Sequence, residues 1–514
     1  MLAARFARAP RLGAPALVVL AVLATAALLV ALPPLYGAAA VVGAVGAVLV
    51  FRYPSLGLCL LLLSIPVQDI GAVGQLTLTN ALFALTLASW LVWRAAGRRG
   101  RMPRSAVGPL YVAFVAGLAL SLVVAQDLGP GVQALFQWVK ALLVYFIALD
   151  LLRTRRHVLW ALASLALGGA AEALLGLYQY VTASGPPSFD IGEDFSRAYG
   201  TFGKPNSYAG YLEMLFPLGL ALTYWLWREW RERRRATPRY PADGIRAWRG
   251  SPLPTLAAGG ATLLMGGAIV ASLSRGAWLG TLGGIVAMIL LAGRRSRGAF
   301  ALALVPLTLF VLVGAQTFLP STVSSRFASI FGGADTADVR TAYVTAENFA
   351  ILERKAHWIA GLNMFQSDYL LGVGLGNFNV RFEEFSVSPS FLISQGHAHN
   401  YYIQAAAEAG LVGLSTYLVL LGAIFLTGFH ALRAIGDRDP IARGLVVAAI
   451  GMVTAVSIHN FFEVLYVLSM GIQVSVIWAL LTIAPARLAR ASEPARAAGV
   501  LETGDSSRIL EHAA

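Results

Sequence analysis

Two histidines stand at the end of a long polar stretch, directly before an apolar segment. His397 and His399 precede Asn400, and the apolar segment carries Tyr401 and Glu408. A neutral imidazole can accept a proton from a hydroxyl group near pH 7. A carboxylate inside an apolar segment is costly and is usually functional or paired. The pattern therefore predicts a general base at His399. The candidate substrate contacts beside it are His397, Asn400, Tyr401 and Glu408.

Two histidines can also bind a metal ion, but the rest of the pattern does not favour one. No third ligand stands at a suitable spacing, and the chain has no His-Glu-x-x-His run. The single cysteine, Cys59, lies in an apolar segment and allows no internal disulfide and no cysteine-based metal site. We expect neither a metal ion nor a cofactor.

A second group of candidates is cationic. Arg275 lies between two apolar segments that are joined by almost no loop, which holds its guanidinium at a membrane surface. Arginine binds phosphate through two parallel hydrogen bonds, and a lipid diphosphate is the anion found at that depth. The alternative is an arginine that extends to lipid headgroups. Arg354 and then Arg326, both in the polar stretch, are the next candidates, with a solvated charge as the alternative for each.

Polar residues at the start of another apolar segment are also candidates. Lys204 and Asn206 flank Pro205 and follow the segment Gly200-Thr201-Phe202-Gly203. Asn206 can cap the helix that begins here or bind a sugar hydroxyl, and capping is the simpler interpretation. We include both residues among the candidate substrate contacts.

Two charges lie within predicted membrane spans. Lys140 is nine residues from the outer start of its span at 131, and Glu172 is nine residues from the outer end of the next span at 181. At 1.5 Å per residue both lie about 13–14 Å deep. We predict that they form an ion pair.

The composition identifies the class of protein that must position these residues. The 514 residues are 57% hydrophobic and only 13% charged, and the mean hydropathy is +0.69. Many apolar runs have the length that crosses a bilayer as a helix. We therefore predict an all-α polytopic membrane protein with about 12–14 transmembrane helices. The predicted spans lie near 14–32, 35–51, 55–67, 77–93, 106–125, 131–149, 157–181, 205–227, 253–271, 276–292, 299–317, 400–427, 443–461 and 464–483.

The net charge of +13 reflects topology, not nucleic-acid binding. Arginines cluster in every second loop, at 94–104, 153–156, 228–251 and 294–297, whereas the loops near 68–76, 126–131 and 460–463 contain neither Lys nor Arg. Basic loops remain in the cytoplasm. The alternation therefore predicts that both termini are cytoplasmic and that the loops at 182–204, 272–276 and 318–399 are external. We read the first span as retained rather than cleaved.

These loops and spans give a predicted division of the chain. Helical spacing within the long external loop predicts a helix over 346–364. The predicted parts are transmembrane helices at 1–181, transmembrane helices with cationic motifs at 182–317, a large extracytoplasmic loop at 318–399, C-terminal transmembrane helices at 400–483, and a polar cytoplasmic tail at 484–514 whose composition indicates disorder.

Several motifs together resemble one family. His399-Asn400 is followed by nine residues, Gly410, two residues and Gly413. This spacing resembles the motif of the O-antigen ligase and polymerase superfamily. The supporting motifs are Gly200 to Asn206, Ser274 to Ala277, and Glu353-Arg354 through Trp358 to Gly372–Phe378. The resemblance covers residues 195–430 and the overall topology.

The resemblance implies a glycosyltransferase of the lipid-donor (GT-C-like) architecture in the inner membrane of a bacterium. Such enzymes take a glycan from undecaprenyl diphosphate on the outer face and pass it to a hydroxyl acceptor, without metal and with inversion at the sugar. By this resemblance, His399 is the base on the acceptor hydroxyl. Arg275 and a loop arginine, Arg354 or Arg326, hold the diphosphate leaving group. The partners are the lipid-linked glycan, the acceptor and membrane lipids.

The acceptor leaves three enzymatic alternatives. A ligase uses a sugar of the lipid A core of lipopolysaccharide, a polymerase uses another lipid-linked repeat, and a protein O-oligosaccharyltransferase uses a protein hydroxyl. The motif spacing favours the ligase. A non-enzymatic lipid-glycan flippase is a further alternative, but it needs a polar pathway through the membrane, whereas the unusual residues here gather on one face.

Overall fold

The protein is a bundle of α-helices. The computed structural model describes residues 34–68, 77–97, 101–191, 195–235, 251–293, 338–345, 348–394, 396–437 and 439–485. Within these ranges it contains fourteen α-helices and one short antiparallel hairpin, which pairs β1 (Asp190–Ile191) with β2 (Phe195–Ser196).

The helices follow the apolar segments of the sequence. The first six are α1 (Pro34–Arg52), α2 (Pro54–Ser64), α3 (Leu78–Ala95), α4 (Val107–Ser121), α5 (Leu128–Leu151) and α6 (Arg155–Thr182). The next three are α7 (Pro205–Arg235), α8 (Leu253–Ala271) and α9 (Arg275–Leu291). The last five are α10 (Phe349–Ser367), α11 (Phe378–Phe385), α12 (Tyr401–Ile435), α13 (Pro440–His459) and α14 (Met470–Ile483).

The predicted fold class, an all-α polytopic membrane protein, is confirmed. Six of the described helices are long and apolar enough to cross a membrane, namely α4 with its 3-10 extension, α5, α6, α8, α12 and α13. Each predicted span from 35–51 to 276–292, and each from 400–427 onward, corresponds to a helix. The predicted spans at 14–32 and 299–317 and the tail after residue 485 lie outside the described residues.

Two helices form the centre of the bundle. Of the apolar window of α13, 72% is buried, and α14 is buried on nearly all its faces, as expected for helices that are apolar all round. α13 packs closely on α9. An added Cβ at Gly284 in α9 would lie only 2.7 Å from the carbonyl oxygen of Gly451 in α13. Small residues permit such backbone contact between membrane helices.

A break in α12 fastens residues 369–378, which we call the glycine-rich segment, to the bundle. Gly410 has a φ of 58°, and an added Cβ there would lie 2.3 Å from the backbone of Leu370. The N–H of Leu411 donates to the carbonyl of Tyr369 at 2.8 Å. Glu408 accepts the N–H of Phe378 at 3.1 Å. Only glycine combines this φ with so close a contact.

The predicted ion pair between Lys140 and Glu172 is wrong. Lys140 donates to Asn80 at 2.9 Å and to Ser469 at 3.1 Å. Glu172 accepts two hydrogen bonds from Thr201. α5 packs mainly against α14, and α6 packs against α8, so these consecutive helices do not bring the two side chains together.

Candidate active site

Four segments that are distant in sequence meet at one end of the bundle. They are residues 195–206, 272–276, 396–400 and 460–469, which we call the site face. The N–H of Ala198 donates to Ala271 at 3.1 Å, and that of Tyr401 donates to Asn460 at 2.8 Å. Arg197 donates from Nε to the carbonyl of Ser272 at 2.9 Å. The loops predicted to be external at 182–204 and 272–276 therefore lie beside the histidines.

The histidine segment is held in a fixed conformation. The N–H of Ala398 donates to Gln404 at 2.7 Å, and Asn400 caps α12 by accepting the N–H groups of Tyr402 and Ile403. His399 between them has a φ of 50°, which is unusual for a residue other than glycine. Such conformations cluster at functional sites, where the surrounding structure holds them in place.

Glu463 links the two predicted histidines. Its Oε1 lies 3.3 Å from Nε2 of His397 and 3.3 Å from Nδ1 of His399. Its Oε2 accepts a hydrogen bond from Asn206 at 2.7 Å. Burial raises the pKa of Glu463, but the neighbouring imidazoles of His399 and His397 and the charge of Arg354 outweigh burial and hold this pKa below its usual value. Glu463 is therefore a carboxylate anion.

Glu463 is absent from the predicted site residues because its contacts with His397, His399 and Asn206 are made across the fold. The last span was predicted to begin at 464, whereas α14 begins at Met470. The intervening turns direct Glu463 back toward His399. An acidic residue in a loop that contains neither Lys nor Arg, next to a membrane surface, is the signal that could have found it.

Both ring nitrogens of His399 are buried and have no hydrogen-bond partner within the described part of the chain. Its side chain is 13% exposed. Buried polar atoms in native proteins are nearly always paired, and each exception needs an explanation. One side of this ring faces Glu463, and the geometry leaves its Nε2 unengaged. The ring can therefore accept a proton there while a carboxylate stabilises its charged form.

Two further imidazoles surround His399. The His397 ring centroid lies 4.4 Å away, and that of His357 in α10 lies 5.5 Å away. Burial lowers the pKa of His357 to about 4. Burial also lowers the pKa of His397 to about 4, although Glu463 opposes the shift. Both residues are therefore neutral near pH 7, the pH at which His399 is predicted to act as a general base.

Cationic side chains border the cluster. Arg354 and Lys204 both act electrostatically on Glu353, whose pKa is raised mainly by burial. Arg354 also acts on Glu463, and Lys204 acts on His397. The structure thus brings these two predicted residues to the histidines. Arg326 lies outside the described residues.

Arg275 begins α9 and is half-buried. The next residue, Gly276, lies against His459, since an added Cβ would come 2.5 Å from that ring. His459 is itself buried and contacts Glu213 at 2.7 Å. The N–H of Glu463 donates to the carbonyl of His459. Arg275 therefore lies beside the turn that carries the carboxylate.

Arg197 is a further cation that the sequence prediction omits. Its guanidinium donates to Asn206 at 3.2 Å, and Asn206 in turn contacts Glu463. The side chain of Asn206 therefore joins Arg197 to the carboxylate, and this replaces the capping role that was the simpler interpretation. Arg197 lies in a loop that was predicted to be external, where positive charge is scarce, and that scarcity is a signal for it.

Three predicted substrate contacts have other partners. Tyr401 packs in an aromatic cluster, with ring centroids 4.6 Å from Tyr466 and 4.8 Å from Tyr417. The amide oxygen of Asn400 is used to cap α12, and Glu408 holds the glycine-rich segment. These residues position the site face.

The argument against a metal ion changes in the folded protein. His397, His399 and Glu463 can offer three ligand atoms within 4.8 Å of one another, so a third ligand does exist in space. However, Nδ1 of His397 accepts the N–H of His399 at 3.2 Å. The proton of the neutral ring is then on Nε2, which donates toward Glu463, so a metal ion could bind at Nε2 only if this proton left or moved to Nδ1.

These features define a class of protein. It is a membrane-spanning helical bundle that carries a histidine–carboxylate cluster beside cations at one end. Residues 260–418 match the family model of the O-antigen ligase. This match confirms the resemblance to the O-antigen ligase and polymerase superfamily for that part of the chain, and it indicates a glycan-transferring membrane enzyme. The matched range contains Arg275, Arg354 and His399. No curated protein matches the chain at a significant level.

Proposed function

We propose that the protein transfers a glycan from undecaprenyl diphosphate to a hydroxyl acceptor on the outer face of the inner membrane of a bacterium. The observation that carries this proposal is the contact between His399 and Glu463, at 3.3 Å, next to Arg354 and Lys204. Both termini are then cytoplasmic, and the site face is external.

The proposed chemistry is a single displacement. His399 takes the proton from the acceptor hydroxyl as its oxygen attacks the anomeric carbon of the glycan. The bond from that carbon to the diphosphate oxygen breaks, and the diphosphate leaves with the electron pair. A single displacement inverts the configuration at the sugar. Glu463 stabilises the imidazolium that forms on His399, as the carboxylate does in catalytic triads.

The cations act on the leaving group. The diphosphate gains negative charge as the bond breaks, and preorganised positive groups stabilise that charge most. Arg275 is proposed to bind it in a bidentate manner, and Arg354 and Lys204 are proposed to add positive charge beside the histidines. Because the leaving group is already activated, this mechanism uses the protein's own side chains and requires no metal ion.

The description of the matching family favours a ligase, whose acceptor is a sugar of the lipid A core. A polymerase and a protein O-oligosaccharyltransferase remain as alternatives, because the donor site and the base are common to all three.

The test is transfer in vitro with purified protein, undecaprenyl-diphosphate-linked glycan and EDTA. Product on a lipid A-core acceptor supports a metal-independent ligase. Longer lipid-linked glycan without added core supports a polymerase, and product only on a protein supports the third alternative. Donor binding with no transfer to any acceptor contradicts the proposal and favours a flippase.

A pair of matched variants tests the role of the carboxylate. Glu463→Gln should lower transfer by about 10–100-fold, since the imidazolium loses a charge partner worth about 1.5–3 kcal/mol. The control is Glu384→Gln, whose carboxylate pairs with Arg381 and is 58% exposed. Equal activity of the two variants would contradict the role assigned to Glu463.

A further inference from the structure

A buried cation lies apart from the histidine cluster. Lys140 in α5 is 1% exposed. Its ammonium donates to Asn80 and Ser469 at 2.9 and 3.1 Å, and both acceptors are neutral. The ring of Phe136 lies 5.7 Å away. An ammonium has three donors, and within the described residues no carboxylate pairs with it. Burying a charge without an ion-pair partner is costly, and charges kept inside a membrane protein usually serve a function such as ligand binding.

Lys140 lines a cleft of about 90 Å³. The cleft lies between α5 and the turn that leads into α14. Its polar walls are Lys140, Gln137 and Ser469, and its apolar walls include Trp138 and Leu468. Oε1 of Gln137 is buried and has no hydrogen-bond partner in the described chain. The cleft thus offers an ammonium for an anion and a carbonyl oxygen for a donor such as a hydroxyl.

The outer surface beside the cleft is apolar. Phe136 is 41% exposed and Val132, one turn earlier on α5, is 55% exposed. Since α5 spans the membrane, these side chains face acyl chains. A ligand that combines a phosphate, a hydroxyl and acyl chains is an anionic phospholipid with a hydroxyl-bearing headgroup. Basic pockets between membrane helices bind such headgroups.

We infer that this cleft is a lipid-binding site: the phosphate of a hydroxyl-bearing anionic phospholipid binds Lys140, and its headgroup hydroxyl donates to Gln137. The cleft shares Tyr466, Leu468 and Ser469 with the site face, but its lining includes none of His399, Glu463 and Arg275. It requires no catalytic chemistry, so it stands or falls independently of the proposed function.

The test is native mass spectrometry of the full-length protein, released from nanodiscs that contain phosphatidylglycerol, phosphatidic acid and phosphatidylethanolamine. The wild type should retain phosphatidylglycerol preferentially. Lys140→Met should reduce this retention at least tenfold. Gln137→Leu should reduce retention of phosphatidylglycerol several-fold but not that of phosphatidic acid, whose headgroup carries no glycerol hydroxyl. Arg231→Met removes an exposed cation on α7 and should change nothing.

Three results would overturn the inference. One is equal retention of phosphatidylglycerol by the wild type and Lys140→Met. Another is an equal loss in Arg231→Met, which would indicate attraction to surface charge in general. The third is stabilisation of the wild type by inorganic phosphate alone in a way that depends on Lys140, because the site would then bind a free anion. If Lys140→Met does not fold, Lys140→Gln, which also removes the charge, and Gln137→Leu provide the same comparison.

Discussion

Two carboxylates at opposite ends of the protein are both buried, and they are used differently. Asp150, at the far end of α5 from the site face, accepts hydrogen bonds from Trp90 at 2.9 Å and Arg94 at 3.2 Å, and its other oxygen pairs with Arg153. Glu463 also has its oxygens engaged, but it faces His399, whose ring nitrogens have no hydrogen-bond partner in the described residues.

The difference separates structural from functional polar groups. Around Asp150, the described polar atoms satisfy one another, so the cluster can only fix helix ends. Around Glu463, the network ends at a buried imidazole that is left incomplete. A fully satisfied network stabilises a fold, whereas an incomplete one lowers stability and is retained where a ligand completes it.

The largest expected effect is at His399. His399→Ala should lower glycan transfer by about 10²–10⁴-fold, the usual contribution of a general base. It should not lower the thermal unfolding midpoint, because the ring nitrogens make no hydrogen bonds in the described structure. Transfer is measured with the lipid-linked donor in vitro. Normal product would contradict the assignment of the base.

The next effect is at Arg275. Arg275→Lys should lower transfer by about 10–100-fold if the guanidinium holds the diphosphate through two parallel hydrogen bonds, since the lysine keeps the charge but loses the geometry. The control is Arg381→Lys, which alters an arginine on α11 that pairs with Glu384. Unchanged kinetics in Arg275→Lys would show that the residue only anchors the membrane surface.

At the cluster around Asp150, a loss of stability without a loss of activity is expected. Asp150→Asn should lower the free energy of unfolding by about 2 kcal/mol, because charge-assisted hydrogen bonds to two arginines are weakened. Transfer per folded molecule should be unchanged. Thermal unfolding in detergent and the transfer assay together provide the measurement. A catalytic defect in folded Asp150→Asn would remove the contrast between the two clusters.

The effect that is smallest at neutral pH concerns acid stability, since it appears only as the pH falls. The pKa of His357 is about 4 in the folded protein and about 6.5 in an unfolded chain. Between these values the unfolded state binds more protons, so stability is complete above pH 6.5 and falls as the pH drops toward 4. A phenylalanine at this position can pack on Phe382. His357→Phe should therefore reduce the slope of the free energy of unfolding against pH by up to about 1.4 kcal/mol per pH unit.

The measurement for His357 is the unfolding midpoint at several values between pH 6.5 and 4. His430→Gln removes an exposed histidine at the end of α12 and should leave the slope as it is in the wild type. An unaltered slope in His357→Phe would mean that this ring is not the source of the acid sensitivity.

The sequence predicts the helices well because a bilayer imposes a length and an apolar composition on each span. It also identifies His399, His397, Arg354, Lys204 and Asn206, which the structure brings to one site. Their signals are local, since four of them are polar residues at the boundary of an apolar segment and Arg354 is a cation in a loop predicted to be external. The alternation of basic loops predicts which segments share a face.

Contacts between distant helices are not available from these patterns. The Lys140–Glu172 prediction fails because depth along a helix does not specify which neighbour the side chain faces. Glu463 and Arg197 escape prediction for a related reason, since their importance comes from contacts with His399 and Asn206 across the fold. Turns such as residues 460–469 have no periodic pattern of apolar residues from which the path of the backbone could be predicted.

The break at Gly410 has a consequence for protein engineering. The glycine-rich segment is attached to α12 by main-chain hydrogen bonds through this break, and Glu408 reinforces the attachment. The segment and the first part of α12 therefore form one structural unit. A chimaera that exchanges the loop of one homologue for that of another should place its junction beyond Gly413. A junction placed at the histidines would separate the two halves of that unit.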